Sequence, residues 1–310
     1  MRKGTITMHV TNLWTRKHHR PNWTAGLALV SAFALAACGS TTTTAPSSGG
    51  AKATGLLAQV EKSHQVTIAM SAYAPEDFQS SNGTWTGYDV KILDGFAKSL
   101  GAKLVINPMP FAASIEAVTT HREDLTIDIY YTATRAKVIA YSRPMLNYND
   151  AVAVNATHPQ VRTDTLAALS GKKTAVVIGS EEVTEAKKIP HANVVQYSNI
   201  EDSFLALSSG RVAADLQPGV DIAWTKHTNP SLDIKILGAV PASIAPPIAS
   251  LRGYYGVPKG SYGSQFLTKL NSYLHKIECN GTEQKILNQF GMTNSIYLHG
   301  ICAAPNAYAG

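Results

Sequence analysis

The sequence predicts an α/β chain with two lobes, and three observations carry that expectation. From Val66 onward short β-rich runs alternate with stretches of helical apolar spacing, the cycle restarts at Leu166, and a last helical stretch runs from Gln265 to Phe290. Strands alternating with helices imply a mainly parallel sheet. Two such sets in roughly 250 residues fit two units of ordinary size.

In chain order, the first element is a signal. Arg2, Lys3, Arg16, Lys17 and Arg20 precede a 14-residue apolar run, Thr24 to Ala37, that ends in Leu35-Ala36-Ala37-Cys38. A basic start, a short apolar core and small residues before a cut site make a secretory signal, too short to span a bilayer. Met8 is an alternative start. Residues 39–50 are Gly, Ser, Thr, Ala and Pro. They have no large side chain to bury against the entropy of ordering, so a flexible tether is expected, drawn from 39 to 63.

Val66-Thr-Ile-Ala-Met70 reads as a buried strand, and Asn82-Gly83 as a turn between extended segments. Val90, Ile92, Leu93, Phe96, Ala97 and Leu100 give Tyr88 to Leu100 a helical face, with Gly101 as its stop. Leu104 to Ile106 is the next strand, Ile115 to Thr120 a helix, and Leu125 to Tyr131 a strand. In the second set, Lys173 to Ile178 is a strand, and Ser180, followed by two acids, is expected to cap a helix. Val194-Val195, Ile200 to Ser208, and Val212 to Leu216 continue as strand, helix and strand.

Charge excludes one class of partner. The chain carries 27 Lys+Arg and 21 Asp+Glu. Removing the five basic residues ahead of Cys38 leaves 22 against 21, about +1, with no basic stripe, so nucleic acid is not expected. After Cys38 only Cys279 and Cys302 remain, and in an oxidising compartment they are expected to form a disulfide. A loop of about 22 residues closed in this way would contribute about 3 kcal/mol. There is no C-x-x-C, H-E-x-x-H or histidine cluster, so neither metal nor cofactor is expected.

Several motifs share one resemblance. Leu-Ala-Ala-Cys38 resembles a bacterial lipobox, whose cysteine is acylated. Tyr73-Ala-Pro75 and Gly83-x-x-x-Gly87-Tyr88-Asp89-Val90 resemble the opening of family 3 periplasmic solute-binding proteins of amino-acid ABC transporters. Pro110-Phe111 to Ile115, Thr134-Arg135-Ala136-Lys137, Tyr141-Ser142-x-Pro144, Gly179-Ser180, Leu207-x-x-Gly210-Arg211-Val212 and Tyr254-Tyr255-Gly256-Val257 follow in the order of that family, from about residue 64 to 291. The resemblance implies a two-lobed periplasmic-binding-protein-like fold of type II with the ligand cleft between the lobes. The first lobe is expected at 64–152 and 250–310 and the second at 153–249, with crossings near Ala151–Val154 and Ser250–Tyr254.

The resemblance also assigns roles. Arg135 would fork a ligand carboxylate. Ser180, at a helix mouth, would bind the same group from the opposite lobe. Tyr73 and Phe111 would sandwich the ligand, and Tyr130 and Asp128 would line the cleft. Pro218 stands where the family carries the aspartate for an α-ammonium group. The ligand then either lacks that amine or offers it to another acid: Asp128, Glu181 or Asp221. The expected protein is a monomeric lipoprotein of the cell envelope, held at the membrane by lipid on Cys38. It would deliver an amino acid or a related small carboxylate to an ABC permease. Dehydratase-like enzymes on the same fold and ligand-sensing lipoproteins are the alternatives, but no G-x-S-x-G, P-loop or metal spacing supports catalysis.

Overall fold

The computed structural model describes residues 52–245 and 251–306; the signal segment, Cys38, residues 39–51 of the tether and Ser250 at the second crossing lie outside them. The apolar run at Val66 forms β1 (Gln65–Met70), where Val66, Ile68, Ala69 and Met70 are buried. β1 pairs in parallel with β4 (Lys103–Pro108) and β5 (Leu125–Ile129). The crossovers are α2 (Tyr88–Ser99) and α3 (Phe111–Thr119). Between β1 and α2, Asn82-Gly83 turns a short antiparallel pair, β2 (Phe78–Gln79) and β3 (Trp85–Thr86). α2 buries the apolar face that its spacing predicts, including Ile92, Leu93 and Phe96. It can start where it does because Gly87, at φ +135°, lies against the backbone of Glu76; a Cβ there would meet the Glu76 carbonyl oxygen at 1.9 Å.

After β6 (Ile139–Tyr141) and β7 (Leu146–Asn147) the chain enters a second sheet with β8 (Asp150–Asn155). There α4 (Leu166–Leu169), β9 (Lys173–Val177), α5 (Glu182–Lys187), β10 (Asn193–Tyr197), α6 (Ile200–Ser208), β11 (Ala214–Pro218), α7 (Gly219–Thr228) and β12 (Ile234–Ala239) follow. The strand order is β10-β9-β11-β8-β12. The chain returns to the first sheet through β13 (Arg252–Pro258), giving the order β4-β1-β5-β13-β6, with β7 also on β13. The first sheet is thus built from both ends of the chain. Residue 152, expected as a boundary, falls inside β8, which belongs wholly to the second sheet.

Four expectations need correction. The sheets are mixed: β8, β12, β13, β6 and β7 pair antiparallel, because strands that cross between lobes enter the other sheet in the reverse direction. The tether does not extend to 63. Residues Gly55–Ser63 form α1, whose Leu56, Leu57 and Val60 are buried and whose Gln59 accepts a hydrogen bond from the Tyr262 hydroxyl at 2.8 Å. That apolar face distinguishes it from the Ser/Thr/Gly segment before it. The closing helical stretch is two helices, α8 (Ser261–Cys279) and α9 (Thr282–Asn288), separated by Gly281 at φ +77°. Ser180 does not cap α5; Glu181 precedes the helix instead, with no side-chain cap.

α8 anchors the first lobe. Its Phe266 meets Phe96 of α2 edge-on at 5.3 Å, and Leu270 and Leu274 are fully buried beside them. Burial of each such side chain stabilises by about 1.5–3 kcal/mol. Cys279, its last residue, is bonded to Cys302. Buried Arg143 reaches the same tail: it pairs with Glu278 at 2.7 Å and donates to the carbonyls of Ile301 and Cys302, both at 3.1 Å. No helix among the described residues is long and apolar enough to cross a membrane.

Candidate functional site

All seven ligand-binding candidates line one cavity of about 30 Å³ between the two sheets: Tyr73, Phe111, Asp128, Tyr130, Arg135, Ser180 and Glu181. Glu182 and Pro218 complete its wall. Tyr73 follows β1 and is fixed by Asp77, whose carboxylate accepts from the Tyr73 N–H at 2.6 Å. Phe111 opens α3 and meets Tyr73 edge-on at 6.3 Å. Arg135 begins a 3-10 turn whose entry is held by the Thr132 hydroxyl, 3.0 Å from its N–H.

The Arg135 guanidinium spans the cleft. It donates to the Tyr130 carbonyl at 2.9 Å in its own lobe and to the Gly179 carbonyl at 2.7 Å in the other, and it lies 5.2 Å above the Phe111 ring. Gly179 makes this approach possible, since at φ +82° its missing Cβ would sit 3.0 Å from the Ala112 side chain of α3. Five N–H donors serve a guanidinium, so these two bonds leave the rest of the fork for a ligand.

The remaining wall is acidic. Burial, with the Asp150 charge next, pushes Glu182 up to about 8. Burial and the Asp150 and Glu182 charges push Glu185 to about 10, and Asp150 itself rises to about 6 although the Tyr130 hydroxyl donates to it at 2.7 Å. Asp128, at φ +62°, accepts from the Tyr148 hydroxyl, and burial together with Asp89 holds it well above the usual carboxylate range. Carboxylates taken out of water this way favour either protons or a cation beside them. This changes the reading of Ser180. It sits ahead of a six-residue helix whose start carries Glu181 and Glu182, and its buried hydroxyl has no well-formed hydrogen bond. The serine faces acids more than a helix mouth open to anions.

Asp221, in the first turn of α7, is buried, and its charge reaches Tyr73 and Tyr130. Asp215 instead points into the second lobe, where Gln217 donates to it at 3.0 Å. Lys91 is exposed on α2, outside the cleft. Sequence reasoning missed Glu76, and it treated Glu182 as an ordinary acid at a helix start. The available signal for Glu76 was an acid directly after Tyr73-Ala-Pro75, between a buried strand and a helix.

Comparison with known proteins agrees with this architecture. The arginine-binding protein 1 of the Escherichia coli (strain K12) ABC transporter is 26% identical over 238 residues, covering 73% of this chain and 90% of that protein. The probable amino-acid-binding protein YxeM of Bacillus subtilis (strain 168) is 24% identical over 217 residues, covering 67% and 77%. Among solved structures, an ancestral arginine-binding protein bound to arginine shares 27% identity at a TM-score of 0.66, covering 73% of this chain and 98% of that one. An ancestral amino-acid-binding precursor of cyclohexadienyl dehydratase, 22% identical at a TM-score of 0.65, shares the fold. Residues 66–293 match the family description across both sheets and the cavity between them, and the chain belongs to the bacterial extracellular solute-binding proteins, family 3.

Proposed function

We propose that this protein holds a small cationic amino acid between its lobes and delivers it to an ABC permease from a lipid-anchored position at Cys38. One observation carries the choice of ligand: the half-buried carboxyl of Asp128 and the buried one of Glu182, with Glu181 beside them, face a cavity in which Arg135 is the one basic side chain among the described residues. In this reading the free donors of Arg135 take the ligand's carboxylate, and the Ser180 hydroxyl stays with the acid wall at Glu182. The Tyr73 and Phe111 rings pack against its aliphatic stem, and Tyr130 fixes the acid wall through Asp150. The positively charged groups of the ligand sit against Asp128, Glu181 and Glu182, in place of the acid absent at Pro218. A desolvated carboxylate gains most from a charged partner that also donates hydrogen bonds, which a guanidinium or ammonium does.

The arginine-binding relatives support this reading, and so does their coverage of nearly the whole folded part of the chain. We read the protein as a binder and not an enzyme; its family and the named functions of these relatives support that. A thermal-shift panel of arginine, lysine, glutamine, alanine and matched keto acids tests it. A ligand at a hundred times its Kd stabilises the folded state by about 2.7 kcal/mol, so arginine or lysine should give the largest rise in Tm. A larger rise with a neutral amino acid or a keto acid would contradict the proposal.

A further inference from the structure

A second feature joins the lobes, beside the ligand cavity but built from residues that do not line it. α7 of the second lobe inserts its first turns into the first lobe: Val220 joins the core of that lobe, and the Trp224 ring packs on Phe78 at 5.6 Å and Phe290 at 6.2 Å. Asp221 lies on the same stretch of helix and is 1% exposed. Its carboxyl group meets that of Glu76, which is fully buried in the loop between β1 and α2. Glu76 cannot withdraw easily, since its carbonyl accepts the Asp89 N–H at 3.1 Å and Gly87 lies against its backbone.

No N–H or O–H among the described residues makes a well-formed hydrogen bond to any of the four oxygens of this pair. Among the described residues, the titratable groups that act most strongly on the pair are acidic or phenolic. Asp77, Asp89 and Asp128 face Glu76 from the first lobe, with the hydroxyls of Tyr88, Tyr148 and Tyr297 nearby. Asp221 faces Asp128 and Glu182, with Tyr73 and Tyr130 beyond. His227, six residues further along α7, lies beside Trp224 in the groove outside.

We propose that the Glu76–Asp221 pair is a proton-operated clasp: closing the cleft brings two carboxylates into contact, and one proton taken from solvent bridges them as a carboxyl–carboxylate hydrogen bond. In the open cleft both groups are hydrated and ionise in the ordinary carboxylate range. In the closed cleft burial pushes Glu76 up to about 8 and raises Asp221 as well. Both shifts are upward, so closure is unhindered below the open-state range and is increasingly opposed as pH rises through neutrality. Between the two limits the closed-to-open ratio falls about tenfold per pH unit for one proton taken up. The proposal rests on the binding-protein reading of the cleft but on no particular ligand.

Small-angle scattering of the ligand-free protein from pH 5 to pH 9, with circular dichroism to verify folding, tests it. The wild type should be compact at pH 5 and expand towards pH 9. Glu76→Gln and Asp221→Asn each supply an amide N–H to the remaining carboxylate, so both should stay compact throughout. Asp221→Asn leaves the Glu76 loop untouched and gives the same reading should Glu76→Gln fold poorly. A wild type whose dimensions do not change with pH, or a response that survives in both clasp variants, would overturn the proposal. No ligand enters this test, so its failure would leave the choice of ligand untouched.

Discussion

Arg135 holds two carbonyls on opposite sides of the cleft and still has donors to spare, which makes it both a bridge and a receptor. Arg135→Ala should abolish detectable ligand binding while unfolding stays cooperative, because losing a charge-assisted pair in a dry site costs about 2–5 kcal/mol. Calorimetry and urea titration read the two parts; near-wild-type affinity would make the arginine structural. On the opposite wall Glu182→Gln removes a charge without changing shape and should weaken a cationic ligand by at least about tenfold, or 1.4 kcal/mol. Arg135, Tyr73, Phe111 and Ser180 were legible as site candidates because each sits in a short recognisable motif. Glu76 and Glu182 were not, because an acid before a helix is ordinary in sequence. Their significance comes from burial against Asp128, Asp150 and Asp221, which are distant in the chain.

Elements with strong local signals were legible, and those defined by distant partners were not. α2 and α6 follow from apolar spacing, and α6 has the predicted bounds with Asn199 accepting from the Asp202 N–H at 2.8 Å as its cap. α1 was absorbed into the tether because a nine-residue helix preceded by Gly and Thr shows its purpose only once α8 is folded against it. α7 also escaped notice, since its apolar residues face the other lobe as much as its own sheet. The end of α8 carries the firmest prediction at this scale. Arg143→Ala would leave Glu278 buried without its partner and free the tail, and should destabilise the fold by about 3–5 kcal/mol in urea. Mass spectrometry of the non-reduced protein should find Cys279 and Cys302 in one linked peptide; free thiols at both would contradict it.

For the molecule as a whole, near-neutral charge after Cys38, two sheets joined by crossing strands, and an acid-walled cleft fit a carrier that works outside the cytoplasm. The doubling of the fold was legible because the strand–helix cycle starts twice. The mixed direction of the strands was not, because β13 enters the first sheet only after the chain has built the second. Attachment at Cys38 predicts that radioactive palmitate labels the wild type and not Cys38→Ala; equal labelling of both would remove the anchor. The central claim, that the cleft selects positive charge, is tested most directly by titrating the protein with arginine and with citrulline in a calorimeter. Citrulline keeps the length and hydrogen-bonding shape of arginine and replaces its guanidinium with a neutral urea group. Arginine should bind at least about a hundredfold tighter, a difference of about 2.7 kcal/mol. Equal affinity, or tighter binding of citrulline, would contradict the account.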